Sequence, residues 1–249
     1  MICARNLWKR YGSVDVLKGL HLDVREGEIL VILGRSGVGK SVLLRHIIGI
    51  EKPDQGTIVV GGVDITTCKK NAIYKAVKNM GMLFQGSALF DSMNIEENTS
   101  FHLKQHSNLS PSEIKRKVKE ALSMVGLEGS EKKMPSDLSG GMRKRAGLAR
   151  LIVYRPSILL YDEPTTGLDP VTAQQINELI VQIQRELRGT SIVVTHDLHS
   201  ALFIADRLAL HQDGKIVHLA APDIFMTIDD PTINFLRDNL SNKLRKDPR

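Results

Sequence analysis

Gly34-Arg35-Ser36-Gly37-Val38-Gly39-Lys40-Ser41 reads G-x-x-x-x-G-K-[ST] without a mismatch. That pattern cradles phosphate groups. Glycines at 34, 37 and 39 free the backbone to curl until successive N–H groups point inward at phosphate oxygens. Lys40 sets a point charge on β- and γ-phosphates, and the Ser41 hydroxyl completes a Mg2+ shell. The flanks agree, because the apolar strand Ile29–Leu33 comes before the loop and the helical run Val42–Ile48 after it. The helix adds its positive N-terminal end to the site. A dinucleotide-binding loop is excluded by spacing: after Gly37 and Gly39 the third glycine falls at position 42, which is Val42.

A second constellation lies at Ile158-Leu159-Leu160-Tyr161-Asp162-Glu163, an apolar strand ending in two acids. Asp162 at the strand tip can hold Mg2+ through its water shell. Glu163 is then placed to orient and deprotonate an attacking water, a role worth about 10²–10⁴ in rate. Alone, the two acids would read as a solvated turn. The phosphate loop upstream turns the balance toward chemistry.

These residues need a scaffold, and the pattern supplies one. Val14–Val24, Glu28–Leu33, Thr57–Val60 and Gly81–Phe84 read as strands, punctuated by Gly27, Gly56 and Gly61-Gly62, and Met1–Trp8 as the first strand. Ser110-Pro111-Ser112-Glu113 starts a helix, with Ser at the N-cap, Pro at the first helical position and Glu three residues after the cap. Ile114, Val118, Ala121, Leu122 and Val125 follow at helical spacing until Gly126. A helix over Gly141–Tyr154 turns Ala146, Leu148, Ala149, Ile152 and Val153 inward. Ser157–Tyr161 reads as a mainly apolar strand, the kind buried on both faces of a parallel sheet, and Ser191–Thr195 as another buried strand. Pro170 opens a helix with an apolar stripe of Ile176, Leu179, Ile180, Ile183 and Leu187, closed by Gly189. Arg207–His211 and Lys215–Leu219, split by Asp213-Gly214, form a hairpin. Asp230-Pro231 starts a short helix carrying Ile233, Leu236 and Leu240, and the basic tail Asn242–Arg249 frays. The layout is one α/β domain over residues 1–249: a parallel-sheet core from 1–85 and 156–249, interrupted by a mostly helical insert at 86–155.

Composition narrows the partners. The chain has 249 residues, 42% of them hydrophobic and 25% charged, which excludes a disordered tail, a collagen-like rod or a disulfide-stapled miniature. Its net charge of +6 is compatible with anionic ligands but selects none. Cys3 and Cys68 have no metal-ligand spacing, which fits a reducing compartment. No stretch reaches the roughly 18 apolar residues of a membrane span, and Met1–Trp8 lacks the apolar core of a signal peptide. The expectation is a soluble chain whose membrane role comes through a partner. The basic runs Lys115–Lys119 and Arg143–Arg145 read as solvated helix faces. No aromatic residues interleave them, as a nucleic-acid platform needs, so no nucleic-acid partner is expected.

With Leu138-Ser139-Gly140-Gly141-Met142 added, the chain resembles the ATP-binding cassette (ABC) ATPases over nearly its whole length, every motif in the family's order. The resemblance implies a P-loop NTPase (RecA-like) core with an antiparallel β subdomain and an inserted helical subdomain. It implies ATP and Mg2+ as cofactors. Tyr11 matches the aromatic that stacks on adenine. Gly34, Arg35, Ser36, Gly37, Val38, Gly39, Lys40, Ser41 and Val42 match the Walker A loop and its helix start. Gln85 matches the Q-loop glutamine that senses Mg2+ and the attacking water. Asp162 and Glu163 match Walker B and the catalytic base, and His196 the switch histidine beside the γ-phosphate. Ser139, Gly140 and Gly141 match the signature, and Asp169 in Gly167-Leu168-Asp169 the D-loop. These last act on nucleotide held by a second copy, so the family's form is a head-to-tail dimer around two ATP molecules. The signature departs at Met142, where most transport ATPases carry Gln.

Met82-Leu83-Phe84-Gln85-Gly86-Ser87-Ala88-Leu89-Phe90-Asp91-Ser92-Met93 looks like the Q-loop of the MCE-associated, Mla-type lipid-transport ATPases. The signature helix Leu138–Arg150 resembles the same group, as does Asp230–Leu236. Polar amino-acid importers continue the signature with Gln-rich sequence rather than Met142-Arg143-Lys144-Arg145. The resemblance implies a phospholipid-transport subunit on the cytoplasmic face of the inner membrane. It would be held there by a permease, with an MCE-domain lipid-binding protein and a STAS-domain regulator as further partners. Two other readings remain. One is the ATPase of an importer for amino acids or another small solute. The other is a non-transport ABC protein acting on nucleic acid or ribosomes, whose relatives carry a coiled-coil insertion or tandem cassettes that this chain lacks.

Overall fold

Short runs of branched apolar residues set the strands of the computed structural model, which describes residues 2–246. Two units of chain emerge, Met1–Val77 with Ile192–Arg249, and Lys78–Ser191. In chain order the first contains β1 (Ile2–Tyr11), β2 (Val14–Val24), β3 (Ile29–Leu33), α1 (Lys40–Ile47), β4 (Gln55–Val60), β5 (Val63–Asp64) and α2 (Lys70–Val77). The second contains β6 (Met80–Leu83), α3 (Ile95–His106), α4 (Pro111–Met124), α5 (Gly140–Ile152), β7 (Ile158–Asp162) and α6 (Pro170–Leu187). The division falls inside β8 (Thr190–Thr195). The first unit then resumes with α7 (Leu198–Ile204), β9 (Arg207–Gln212), β10 (Lys215–Ala220), α8 (Pro222–Phe225) and α9 (Pro231–Lys246).

In the first unit, β2-β1-β4-β5 make an antiparallel sheet, and β10-β9-β3-β8 lie side by side in a second. Every residue of β3 is buried. That strand delivers the phosphate loop, and its start is pinned. Ile29 N–H donates to Asp206 Oδ2 at 2.7 Å, Asp206 N–H donates back to Ile29 O at 2.9 Å, and Arg207 meets Glu28 at 3.0 Å. The parallel register then runs from Leu30 opposite Arg207 to Leu33 opposite Leu210. The β9–β10 hairpin turns through Asp213 at φ 47° and Gly214 at φ 79°, the two left-handed residues of a two-residue turn.

In the second unit, β7 runs parallel to β6, with Met80 opposite Ile158 and Leu83 opposite Tyr161. Helix α4 begins as its sequence requires. Ser110 Oγ accepts from Glu113 N–H at 3.3 Å while Ser110 N–H donates to Glu113 Oε2 at 2.8 Å. Val118, Ala121, Leu122 and Val125 are buried, and Gly126 at φ 67° ends the run. On α6 the stripe of Ile176, Leu179, Ile180 and Ile183 is buried, about 1.5–3 kcal/mol for each side chain. The exposed Arg116–Glu120 pair on α4, at 2.6 Å, contributes about 0.3–0.5 kcal/mol. Burial decides the helix packing.

Several boundaries differ from expectation. Arg188, at φ 50°, closes α6 with its N–H on Gln184 O at 2.8 Å. Gly189 is instead needed for close approach, since a Cβ there would meet Ser157 O at 3.0 Å. Helix α5 ends at Ile152, short of Tyr154. The C-terminal helix is not short: α9 continues through Lys246, where a fraying tail was expected. The strand expected over Met1–Trp8 is β1 and runs on to Tyr11. Met1 and the last part of the tail, 247–249, lie outside the described residues.

Helix α3 carries no strong periodicity, and a buried polar residue anchors it. Asn98 is fully buried; its Oδ1 accepts from Phe90 N–H at 2.8 Å, and its Nδ2 donates to Phe90 O at 3.0 Å and Met93 O at 2.8 Å. It thereby ties the chain after Gln85 to the helix. Asn98→Ala would strand the Phe90 peptide groups without partners. We expect a loss of about 2–4 kcal/mol, read as a lowered urea midpoint.

Candidate functional site

The phosphate loop is built as its glycines demand, but each glycine serves differently. Gly39, the N-cap of α1, sits at φ 103°, and a Cβ there would come within 2.5 Å of Val16 Cγ1. Gly37 also has a positive φ, of 82°. Gly34 does not, contrary to the expectation that all three curl the chain alike. It is glycine because a Cβ would meet His211 O at 2.6 Å. Arg35, Ser36 and Gly37 are exposed, Val38 is half-buried, and Val42 is buried under the helix. Leu43 N–H makes the first helical bond, to Gly39 O at 3.0 Å, and no acid stands in the first turn of α1. The positive end of the helix is thus uncompensated by its own side chains.

Lys40 is only 5% exposed, and its Nζ donates to Gly34 O at 2.7 Å and Arg35 O at 3.0 Å. The ammonium is folded over its own loop. Tyr11 ends β1 as a 41% exposed residue, with Lys9 Nζ 5.3 Å from its ring centre. Its hydroxyl donates to Glu51 Oε1 at 2.5 Å. Glu51 is held in turn by Lys9 at 3.2 Å and Arg45 at 3.6 Å. Sequence reasoning missed Glu51, which no motif marks. His196 is exposed just after β8, and Asp197, not His196, caps α7 through His199 N–H at 3.1 Å. The buried histidines His46 and His211 are held neutral by burial, each pushed down to about 4.

The second unit gathers the other residues. Asp162 ends β7, 6% exposed, and Glu163 follows at 8%. Glu163 has φ 48°, a left-handed backbone uncommon for a residue with a side chain. Its carbonyl accepts from Thr166 N–H at 3.3 Å and from Lys144 Nζ at 3.3 Å, while its Oε2 accepts from Thr166 Oγ1 at 3.0 Å. Gln85 is exposed beyond β6, and its carbonyl accepts from the same Lys144 at 2.5 Å. Ser139 caps α5, its Oγ accepting from Met142 N–H at 3.3 Å. Ser139 and Gly140 are exposed, Gly141 is buried, and no acid lies in the first turn of α5. That open helix start is chemically an anion site. Asp169 is exposed but engaged. It caps α6, Oδ1 accepting from Thr172 N–H at 3.0 Å and Oδ2 from Thr172 Oγ1 at 2.6 Å.

One expectation is corrected here. Arg143–Arg145 is not a solvated face: Lys144 is 5% exposed, and Arg145 donates to Val125 O at 2.9 Å and Gln175 Oε1 at 3.0 Å. The helical period carried the signal, since Lys144 lies one turn before the inward Leu148.

The oxygen donors fit a hard divalent cation. Ser41 in the first unit offers a hydroxyl and Asp162 in the second a carboxylate, each an oxygen of the kind that Mg2+ takes. Among the described residues no cluster of three or more His, Cys, Asp or Glu forms an all-protein metal cage. Nor is any described helix long and apolar enough to cross a membrane.

Residues 17–166 match the ABC transporter family. The chain is similar to the probable ribonucleotide transport ATP-binding protein mkl of Mycobacterium leprae, 41% identical over 229 residues, 92% of this chain and 66% of that protein. It thus spans just under two thirds of the length of that relative. It is 37% identical to the intermembrane phospholipid transport system ATP-binding protein MlaF of Haemophilus influenzae over 246 residues, covering 98% of this chain and 93% of that one. It is 41% identical to the methionine import ATP-binding protein MetN of Geobacillus kaustophilus over 206 residues, 83% of this chain and 60% of that protein. Among solved structures, the dimeric post-hydrolysis state of the ATP-binding cassette MJ0796 bound to ADP and Pi aligns with a TM-score of 0.82 at 30% identity, covering 89% of this chain and 99% of that one.

Proposed function

Because this chain belongs to the ABC transporter family, a family of ATP-hydrolysing cassettes, we propose that it is the ATP-binding subunit that powers a phospholipid transporter. Lys40 and the backbone of Gly34–Ser41 hold the β- and γ-phosphates, and Tyr11, steadied by Glu51, stacks on adenine. Ser41 and Asp162, with Gln85, are the residues that hold Mg2+. Bound there, Mg2+ would supply positive charge to the phosphates. Glu163 accepts the proton of the attacking water, and His196 contacts the γ-phosphate whose loss ends the closed state. Ser139, Gly140 and Gly141 present the α5 N-terminus to nucleotide on a second copy, with the Asp169 loop beside them. Two copies therefore close head-to-tail on two ATP molecules, and the closure moves a permease docked beside Gln85 and the 86–110 segment. That places the chain on the cytoplasmic face of the membrane, with an MCE-domain protein and a STAS-domain regulator in the assembly.

The observation that carries the lipid reading is the match to MlaF, which runs nearly end to end on both chains. The match to MetN leaves two fifths of that protein uncovered. It favours a second reading, an amino-acid importer ATPase, through its higher identity of 41%. Purification of the tagged full chain from detergent-solubilised membranes, with mass spectrometry of bound protein and lipid, separates the two. The lipid reading expects a permease and an MCE-domain protein with phospholipid in near-stoichiometric amount. A permease with an amino-acid-binding protein and no enriched lipid would contradict it.

A further inference from the structure

Lys144 is out of place for a lysine. It sits on the inner face of α5, 5% exposed, and burial pushes its pKa down while Asp162 and Glu163 pull it back up. Buried lysines of this kind are held by specific partners. Here the partners are two carbonyls far apart in sequence, Gln85 O at 2.5 Å and Glu163 O at 3.3 Å. One belongs to the turn after β6, the other to the turn after β7. The residue that bridges them lies on the helix whose start is Ser139-Gly140-Gly141. The Glu163 carbonyl needs that help, because it belongs to a residue held at φ 48°. A left-handed glutamate persists only where its surroundings fix it. Thr166 N–H and Lys144 Nζ both donate to that carbonyl.

We propose that Lys144 is a positioning residue for hydrolysis: it clamps the Gln85 and Glu163 peptides to the signature helix, so that engagement of that helix sets the carboxylate that meets the water. The inference rests on the ATPase reading above. A lysine suits the task because its three N–H donors radiate from one point and can satisfy carbonyls from two loops at once. Its charge also feels the carboxylates of Asp162 and Glu163. Arg145, next along, points elsewhere, to Val125 O and Gln175, so it cannot substitute.

The test is steady-state kinetics of the full chain carrying Lys144→Met, Lys144→Gln or Lys144→Arg, with nucleotide affinity measured separately by titration of a fluorescent ATP analogue. Loss of the clamp displaces the base by a fraction of an ångström to an ångström. We therefore expect kcat of Lys144→Met to fall about 10- to 100-fold, with ATP affinity and KM within about threefold of wild type. Lys144→Arg, which can still bond two carbonyls, restores more of kcat than Lys144→Gln. A purely structural role would lower all three through stability alone and show no such order. Wild-type kcat in Lys144→Met, or equal losses in all three, overturns the inference. Should Lys144→Met fail to unfold cooperatively, Lys144→Gln carries the test, with a several-fold lower kcat expected and wild-type kcat contradicting it. Glu163→Gln distinguishes the levels: wild-type turnover there removes Glu163 from the role of base, and with it the reading on which the clamp rests, whereas a dead Glu163→Gln beside a fully active Lys144→Met sinks only the clamp.

Discussion

Lys40→Ala is expected to abolish ATP binding. The side chain is 5% exposed and its ammonium rests on Gly34 O and Arg35 O, inside the loop that must receive the phosphates. The nucleotide carries its densest charge at the β- and γ-phosphates, and the lysine is the point charge of the loop. Truncating one partner of a desolvated charge pair costs about 2–5 kcal/mol, and about 3 kcal/mol already weakens Kd more than 100-fold. Equilibrium titration with a fluorescent ATP analogue reads the loss, and thermal unfolding checks that the fold survives. Lys40→Arg should not rescue binding, because a planar fork does not occupy the place of a compact ammonium. Wild-type affinity in Lys40→Ala would remove the phosphate-loop assignment.

Glu163→Gln should behave in the opposite way. The change keeps the shape, and the amide oxygen can still accept from Thr166 Oγ1, now 3.0 Å from Oε2. Nothing in ATP binding is lost. What goes is the basic oxygen that we propose takes the proton of the attacking water. Phosphate-release assays should show kcat down about 10²–10⁴-fold, with nucleotide affinity unchanged. Unaltered hydrolysis would take Glu163 out of the role of base.

Much of this site was legible as a linear pattern, for physical reasons. The phosphate loop binds mainly with its backbone, so its constraints fall on glycines, and glycines are visible in sequence. The signature is likewise a helix start, written as a serine and two glycines. Buried strands such as Ile158–Asp162 and Thr190–Thr195 show as short runs with apolar centres, and the capping box at Ser110 fixes α4 to the residue. The cassette fold and the family follow from those features. What stayed hidden depends on contacts across long sequence separations. Lys144 looked like one charge in a basic run, and only its bonds to Gln85 O and Glu163 O show that it faces inward. Asn98 anchors α3 through Phe90, eight positions away, with no periodicity to announce it. Glu51 reaches Tyr11 from forty positions away. The end of α6 at Arg188 rather than Gly189 was hidden because a non-glycine took the left-handed position.

The central claim is that two copies of the chain share each nucleotide, the lysine loop of one against the glycine-bearing helix start of the other. Sedimentation of Glu163→Gln with and without Mg-ATP tests it most directly. The account predicts a shift from one chain to two on adding Mg-ATP, none with ADP, and none when Ser139 is also replaced by a bulky residue such as Phe. A Glu163→Gln chain that binds ATP at saturation yet sediments as a single chain would contradict it.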